Sequence, residues 1–379
     1  MILIVMGTRP EIIKLAPLCL ELKKTGISVK ICVTFQHREL AVQALSVFGL
    51  VPDFSLSVMS PGQSLVGLTS KLLIQLDEVY KQVCPKAIIV HGDTATAVCA
   101  GMAAFYKKIP VVHIEAGLRS GNIDTPFPEE ANRQALRIFS KFHFAPTDKA
   151  LQNLLAETVA PENAFMVGNT VVDSLKYVLE KINKSEIHIS RRIEQFVQAC
   201  EDGNKKFLLL TLHRREGLDG GIQQACGALK EFLNNNTDVC VFYPRHPNPA
   251  TEKFAQLCGA KKMGKRFVVS DHVGYADMVY LISKAHCLVT DSGGLQEEGV
   301  SLGKPVVCVR EVTERQEGID AGLISLTGFN TEKILSVLQK ICNARINVFS
   351  AFSTCNPFGD GFASGRIVRI LQQRFPECF

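Results

Sequence analysis

The sequence predicts an α/β protein built as two successive doubly wound domains with a cleft between them, and three observations predict it. Short apolar runs of strand length alternate with helix-sized segments in two separate series. Between the series, the stretch from Val171 to about Asp202 has charged helical patterning and no strand signal. The 379 residues also exceed the size at which a single hydrophobic core keeps growing. Residues 1–170 are therefore expected to form the first domain and residues 171–360 the second. A terminal helix within 361–379 is expected to cross back to the first domain, because it needs a surface on which to bury Ile367, Val368, Ile370 and Leu371.

The first series opens on Ile2–Met6, an apolar run broken by Gly7. Thr8, Arg9 and Pro10 follow, then a helical pattern carried by Ile12, Ile13, Leu15, Leu18, Leu20 and Leu22. Arg9 and Lys14 add positive charge to the free backbone N–H groups of that helix start. The loop reads either as a phosphate site or as an ordinary solvated turn. It lacks the GxGxxG pattern, which disfavours a dinucleotide cofactor. Val29–Thr34 reads as a second buried strand, ending in the polar cluster Phe35-Gln36-His37-Arg38-Glu39. Gln63–Tyr80 reads as a helix and Ala87–His91 as a strand running into Gly92, Asp93 and Thr94. Asp93 either caps the helix Thr94–Tyr106 or belongs to a site.

Val111–Ile114 is the next strand and delivers Glu115 to its end. Pro126 and Pro128 then stiffen the approach to a helix, with Pro128 in the first helical position and Glu129 and Glu130 in the first turn. Glu129 and Arg133, four apart, make an ordinary helical ion pair or part of an acid/base centre. The density of His113, Glu115, Arg119, Asp124, Glu129, Glu130 and Arg133 in one segment favours the centre. Phe142–Ala145 and Phe165–Val167 complete the first series.

The second series comprises Phe207–Thr211, Val239–Tyr243, Arg266–Val269, Cys287–Thr290 and Pro305–Val309. Its chemistry lies in the loops that follow: His213-Arg214-Arg215-Glu216, then Arg245-His246, then Asp291-Ser292-Gly293-Gly294. Gly293 and Gly294 let backbone N–H groups approach an oxyanion at a helix start. A carboxylate one turn on, Glu297 or Glu298, stands where a ribose hydroxyl is held in such folds. Arg310 and Arg315 follow the next strand.

Composition narrows the function classes. Hydrophobic residues are 46% and charged residues 21%, as in globular proteins, and the +5 net charge is spread along the chain. That balance suits an anionic small molecule and offers no basic run for nucleic acid. The thirteen cysteines form no CxxC pair, and Cys32, Cys240, Cys287 and Cys308 sit inside apolar runs, which points to reduced core thiols in a cytoplasmic protein. No apolar run is long enough for a signal sequence or a membrane span.

The motifs GTRPEIIKLAP, QHREL, VHGDT, EAGLRSG, PFPEEANR, VGNTVVD, TLHRREG, TDSGGLQEE, SLGKPVVCVRE, TERQEG and NPFGDG occur in an order that resembles the non-hydrolysing UDP-N-acetylglucosamine 2-epimerases. The resemblance covers nearly the whole chain. It implies a fold like that of GT-B glycosyltransferases, two Rossmann-like halves with the site between them. It also implies interconversion of UDP-GlcNAc and UDP-ManNAc without NAD or catalytic metal, a place in cell-surface polysaccharide synthesis, and a homodimer. By that resemblance Asp93, Glu115 and Glu129 are the catalytic carboxylates and His213 the catalytic-cleft histidine. Arg9, Lys14, Ser292, Gly293, Gly294, Glu298 and Arg315 hold the uridine diphosphate, and Arg133 steadies the acidic cluster. Glu130 is the fallback for Glu129.

Gln36, His37, Arg214 and His246 match a second UDP-GlcNAc site that activates some bacterial members, but Lys71 stands where those have Arg, and lysine lacks its bidentate fork. Arg245, Gln316 and Val300 depart from the usual Val, Pro and Pro. Three other readings remain open from the sequence: the hydrolysing relative that releases ManNAc and UDP, a GT-B glycosyltransferase, and a sugar-nucleotide sensor.

Overall fold

The computed structural model describes residues 1–36, 38–212, 221–245, 250–271, 273–343 and 356–376, without the side chains of 250–253. The chain divides into two compact units, Met1–Tyr177 with Phe358–Phe379, and Val178–Pro357. Both are doubly wound and Rossmann-like.

Unit 1 holds a seven-stranded parallel sheet of β1 (Ile2–Met6), β2 (Val29–Val33), β3 (Phe54–Ser55), β4 (Ala87–His91), β5 (Val111–Ile114), β6 (Phe142–Ala145) and β7 (Ala164–Met166), in the order β3-β2-β1-β4-β5-β6-β7. Its central strands are buried along their whole length, as expected of a parallel sheet covered on both faces. The strand order reverses between β1 and β4. At such a switch point the loops beyond the carboxyl ends diverge and leave room for a ligand. Unit 2 repeats the plan with β8 (Lys206–Thr211), β9 (Val239–Pro244), β10 (Phe267–Ser270), β11 (Cys287–Thr290), β12 (Val306–Cys308) and β13 (Ile324–Leu326), in the order β10-β9-β8-β11-β12-β13. Its switch point lies between β8 and β11.

The change of unit falls inside the helix Thr170–Asn183. The first half of that helix is held to unit 1, where Ser174 Oγ donates to the Ile13 carbonyl at 2.6 Å. Asp173, also buried, accepts the backbone N–H groups of Ala363 at 3.2 Å and Ser364 at 2.7 Å. A residue far away in sequence thus caps the terminal helix Ala363–Arg374, which packs on the first helix, Arg9–Lys24.

One local reading left open is decided and another is corrected. Thr94 is the cap of the helix Ala95–Tyr106, its Oγ1 accepting the Ala97 N–H at 3.1 Å, so Asp93 is released from that duty. Pro128 stands just outside the helix Glu129–Phe139, and Glu129 takes the first helical position. Among the described residues no helix is long and apolar enough to cross a membrane.

Three histidines, His91, His113 and His143, are buried in the adjacent strands β4, β5 and β6. His113 and His143 are register partners. Burial, followed by the neighbouring His143, pushes His113 down to about 3. Burial likewise pushes His143 down to about 4. An unfolded histidine takes up a proton near pH 6.5, whereas these two refuse it until pH 4 or below. The unfolded state therefore binds more protons as the pH falls below 6.5, and stability declines. The melting temperature is expected to hold above pH 7 and to fall between about pH 6.5 and 4, with a shallower fall in His143→Leu. Calorimetric scans at stepped pH check this, and an equal slope in the variant would refute it.

Candidate active site

In unit 1 the loops after β1 and β4 are tied together by one buried carboxylate. Glu11 accepts the N–H groups of Gly7 at 3.1 Å and Thr8 at 2.7 Å, and the hydroxyl of Thr8 at 2.8 Å. Its other oxygen accepts the Thr94 hydroxyl at 2.9 Å. Burial raises its carboxyl above the ordinary range despite these donors. Sequence reasoning passed over Glu11, although the Thr8-x-x-Glu11 spacing is that of a helix capping box.

Glu115 leaves β5 with a left-handed backbone, φ 62°, a conformation uncommon for a residue with a side chain. Lys14 Nζ lies 2.8 Å from both of its carboxylate oxygens. His91 Nε2 lies 2.6 Å from Oε2, too obliquely for an aligned hydrogen bond. Burial alone would raise this carboxyl, but the Lys14 ammonium and then the His91 ring outweigh it and hold Glu115 well below the usual carboxylate range. Two residues on, Gly117 has φ 89°, and a side chain there would meet the Ala150 carbonyl oxygen at 2.1 Å. Only glycine permits that turn.

Arg133 does not pair with Glu129 as the i,i+4 spacing suggested. Its Nε and Nη2 reach Asp93 Oδ2 at 2.7 and 2.6 Å, and Nη1 reaches Glu130 Oε2 at 3.0 Å. Glu130 is fully buried and also accepts the Ser120 N–H at 3.0 Å, which makes it a support for the loop. Glu129 is half-buried, and its buried Oε2 has no hydrogen-bond partner among the described residues. Arg119 forks onto Glu157 at 2.6 and 2.7 Å and anchors the segment elsewhere, while Asp124 is exposed. Unit 1 therefore presents Glu115 with Lys14 and His91, Asp93 with Arg133, and Glu129 with one uncommitted oxygen. Arg9 begins the first helix beside them in sequence.

In unit 2 the loop after β11 leads through Ser292 into the helix Gly293–Ser301. Thr290 Oγ1 accepts the Ser292 N–H at 3.0 Å, which fixes the turn. A Cβ on Gly293 would lie 2.9 Å from Arg315 Cζ, so the glycine lets the guanidinium come against the amino end of the helix. A cation beside free helical N–H groups is an arrangement that binds phosphates. Arg315 Nη2 bonds Glu297 at 2.8 Å, and Nη1 bonds Glu314 at 3.2 Å. Burial would raise Glu314, but Arg315 and then Arg310 hold it down to about 2. Glu297 is thus committed to Arg315, and Glu298, also buried, is the neighbouring carboxylate on the same helix.

His213, like Arg214, His246 and His37, lies outside the described residues. Of the second set, Gln36 Nε2 donates to Thr96 Oγ1 at 3.2 Å and Lys71 Nζ to Ser60 Oγ at 2.6 Å. Of the departures, Gln316 Nε2 bonds Asp320 at 2.8 Å along its own short helix, Arg245 pairs with Asp271, and Val300 is buried. Among the described residues no group of three or more His, Cys, Asp and Glu side chains is arranged to hold a metal ion.

A sequence profile described as UDP-N-acetylglucosamine 2-epimerase matches residues 20–372. The UDP-N-acetylglucosamine 2-epimerase of Campylobacter jejuni is 40% identical over 372 residues, 98% of this chain and 97% of that protein. That of Escherichia coli K12 is 40% identical over 374 residues, 98% of each. Among solved structures, the Neisseria meningitidis enzyme bound to UDP-GlcNAc superposes with a TM-score of 0.86 at 39% identity, over 98% of this chain and 100% of that one. The Methanocaldococcus jannaschii enzyme, in complex with UDP-GlcNAc and UDP, gives 0.81 at 33% identity over 98% and 99%.

Gly293→Ala tests the unit 2 arrangement. The clash falls on the far end of a flexible side chain, so the protein is expected to fold with a melting temperature close to that of the parent, while the displaced Arg315 costs about ten-fold or more in affinity for UDP. Titration calorimetry reads the result, and unchanged UDP affinity would rule out Arg315 as a diphosphate ligand.

Proposed function

This chain belongs to the UDP-N-acetylglucosamine 2-epimerase family and is an isomerase, and from that premise we propose that it interconverts UDP-GlcNAc and UDP-ManNAc by eliminating UDP and adding it back. The C2 proton of the sugar is not next to a carbonyl, and its direct removal would leave an unstabilised carbanion. Elimination avoids this. A general base takes the C2 proton, the C–H electron pair forms the C1=C2 bond, and the C1–O pair leaves with UDP. Re-addition to the resulting 2-acetamidoglucal, with protonation on the other face, gives the epimer.

The observation that carries this reading is the grouping of Glu115, Asp93 and Glu129 at the strand and helix ends of unit 1, each in a different setting. Two faces of a planar intermediate need two groups that can exchange protons, and one carboxylate cannot serve both. Lys14 and Arg9 in unit 1, with Ser292, Gly293, Gly294, Glu298 and Arg315 in unit 2, are assigned to UDP, where cations and helical N–H groups stabilise the departing diphosphate. Arg133 holds Asp93 in place. His213 is assigned to the same chemistry by its motif alone. No step in this scheme requires a redox cofactor or a metal.

Proton NMR of UDP-GlcNAc in deuterated buffer tests the reaction. C2 exchange with UDP-ManNAc appearing is expected, and stoichiometric UDP with free ManNAc would establish the hydrolysing reaction instead. Glu115→Gln is expected to keep UDP affinity within about two-fold and to lose at least about 100-fold in exchange, the range of one acid/base group. Parallel loss of UDP binding would overturn the division of roles.

The protein is further proposed to act as a cytoplasmic homodimer supplying UDP-ManNAc to polysaccharide synthesis. The cysteines buried among the described residues form no disulfide with one another, which supports the reducing compartment. Val66 and Ile74 on the helix Leu65–Val83, Tyr106 on the helix Ala95–Tyr106 and Ile138 on the helix Glu129–Phe139 are exposed, and these three helices pack in series, which supports this side of unit 1 as the surface for a second copy. Light scattering is expected to show a dimer for the parent and a monomer for Val66→Asp/Ile74→Asp. A monomeric parent would end this part of the proposal.

A further inference from the structure

We propose that His91 is a positioning residue of the reaction, which orients Glu115 from the neighbouring strand and keeps it ready to accept the C2 proton. The proposal rests on the reading of Glu115 as a group that acts on the sugar. His91 is the last residue of β4 and the register partner of Ile114, the residue before Glu115. Both side chains are almost wholly buried, and Nε2 lies 2.6 Å from Oε2. A carboxylate offers only acceptor lone pairs, so the ring proton is placed on Nε2, where its N–H dipole faces the carboxylate although the approach is oblique.

Glu115 lies in a left-handed turn, where its backbone is under strain and its side chain must be held by its surroundings. The strand ends around it are locked to one another. Gly92 N–H donates to the Ile114 carbonyl at 3.0 Å, and His113 Nε2 donates to the Gly92 carbonyl at 2.8 Å. The groups facing the pair are Lys14 and Glu11 from the first helix and His113 from β5. Lys14 grips both oxygens of Glu115, and the Glu11 carboxyl interacts electrostatically with the His91 ring. A carboxylate held by Lys14 alone keeps its charge but can swing about the ammonium. The ring behind it removes that freedom.

In the forward reaction Glu115 takes the C2 proton and becomes a neutral carboxyl, the C–H pair becomes the C1=C2 bond, and UDP departs with the C1–O pair. His91 neither gains nor loses a proton in this step. Its contribution is to hold the acceptor oxygen in place and to favour the carboxylate over the carboxyl before the transfer.

The test compares wild type, His91→Leu and His91→Gln by C2 deuterium exchange, by kcat and KM from pH 9 down to the lowest pH at which the wild type stays folded, and by UDP titration calorimetry. His91→Leu is expected to lower kcat about ten- to a hundred-fold, the range for losing a donor to a charged group. KM and the UDP Kd are expected to stay within about two-fold, and the acid limb of the kcat profile to move to higher pH. His91→Gln keeps a donor and is expected to recover part of both losses, and it carries the test alone should the leucine variant fail to fold. An acid limb that does not move, or a UDP affinity that falls in step with kcat, would overturn the positioning role. Absence of C2 exchange in the wild type would overturn the epimerase reading itself, which is a separate outcome.

Discussion

The structure around the candidate site depends on one constraint: a carboxylate taken out of water needs a cation or several donors beside it. Glu115 has Lys14 and His91, Asp93 and Glu130 share Arg133, and in unit 2 Glu297 and Glu314 share Arg315. The Glu115–Lys14, Glu115–His91, Asp93–Arg133 and Glu297–Arg315 pairs cross between separate elements, so they fix the strand ends and helix starts against one another as well as setting charge. Glu11 obeys the same rule without a cation, using four donors from two loops, and its carboxyl is raised where that of Glu115 is lowered. Equal burial gives opposite outcomes because an ammonium favours the ionised form far more than neutral donors do.

Much of the fold was legible because buried parallel strands read as unbroken apolar runs. Ile2–Met6, Ala87–His91, Val111–Ile114 and Cys287–Thr290 stand in the structure where their hydrophobicity put them. Phe54–Ser55 and Ile324–Leu326 escaped notice because they are edge strands of two and three residues, too short to display a period. The role of Asp93 stayed open in the sequence for a similar reason. Asp and Thr are both good caps, and the choice of Thr94 follows from Arg133, forty residues away, occupying the aspartate.

The site was legible in its parts and illegible in its pairings. Spacing offered Glu129–Arg133 as an ion pair, yet helix geometry allows i,i+3 as readily as i,i+4, and the buried Glu130 took the arginine. That left Glu129 the less committed of the two, a distinction no local pattern contains. His91 was invisible for the same reason. A histidine ending an apolar strand says nothing about the neighbour on the adjacent strand, because sheet order is decided by crossovers and not by sequence distance.

Glycine placement shows how little freedom the acidic turn has. Glu115 and Gly117 both adopt left-handed backbone within three residues, bringing the chain at Gly117 against the Ala150 carbonyl. The glycine accepts its conformation without steric cost, whereas Glu115 does so against its own side chain. A chain selected for stability alone would place the small residue at both positions. The carboxylate stands at the strained position because there its side chain meets Lys14 from the first helix and His91 from β4. The local strain of the turn is thus offset by an ion pair that only the folded sheet can assemble, which ties the geometry of the acidic group to the integrity of the whole unit.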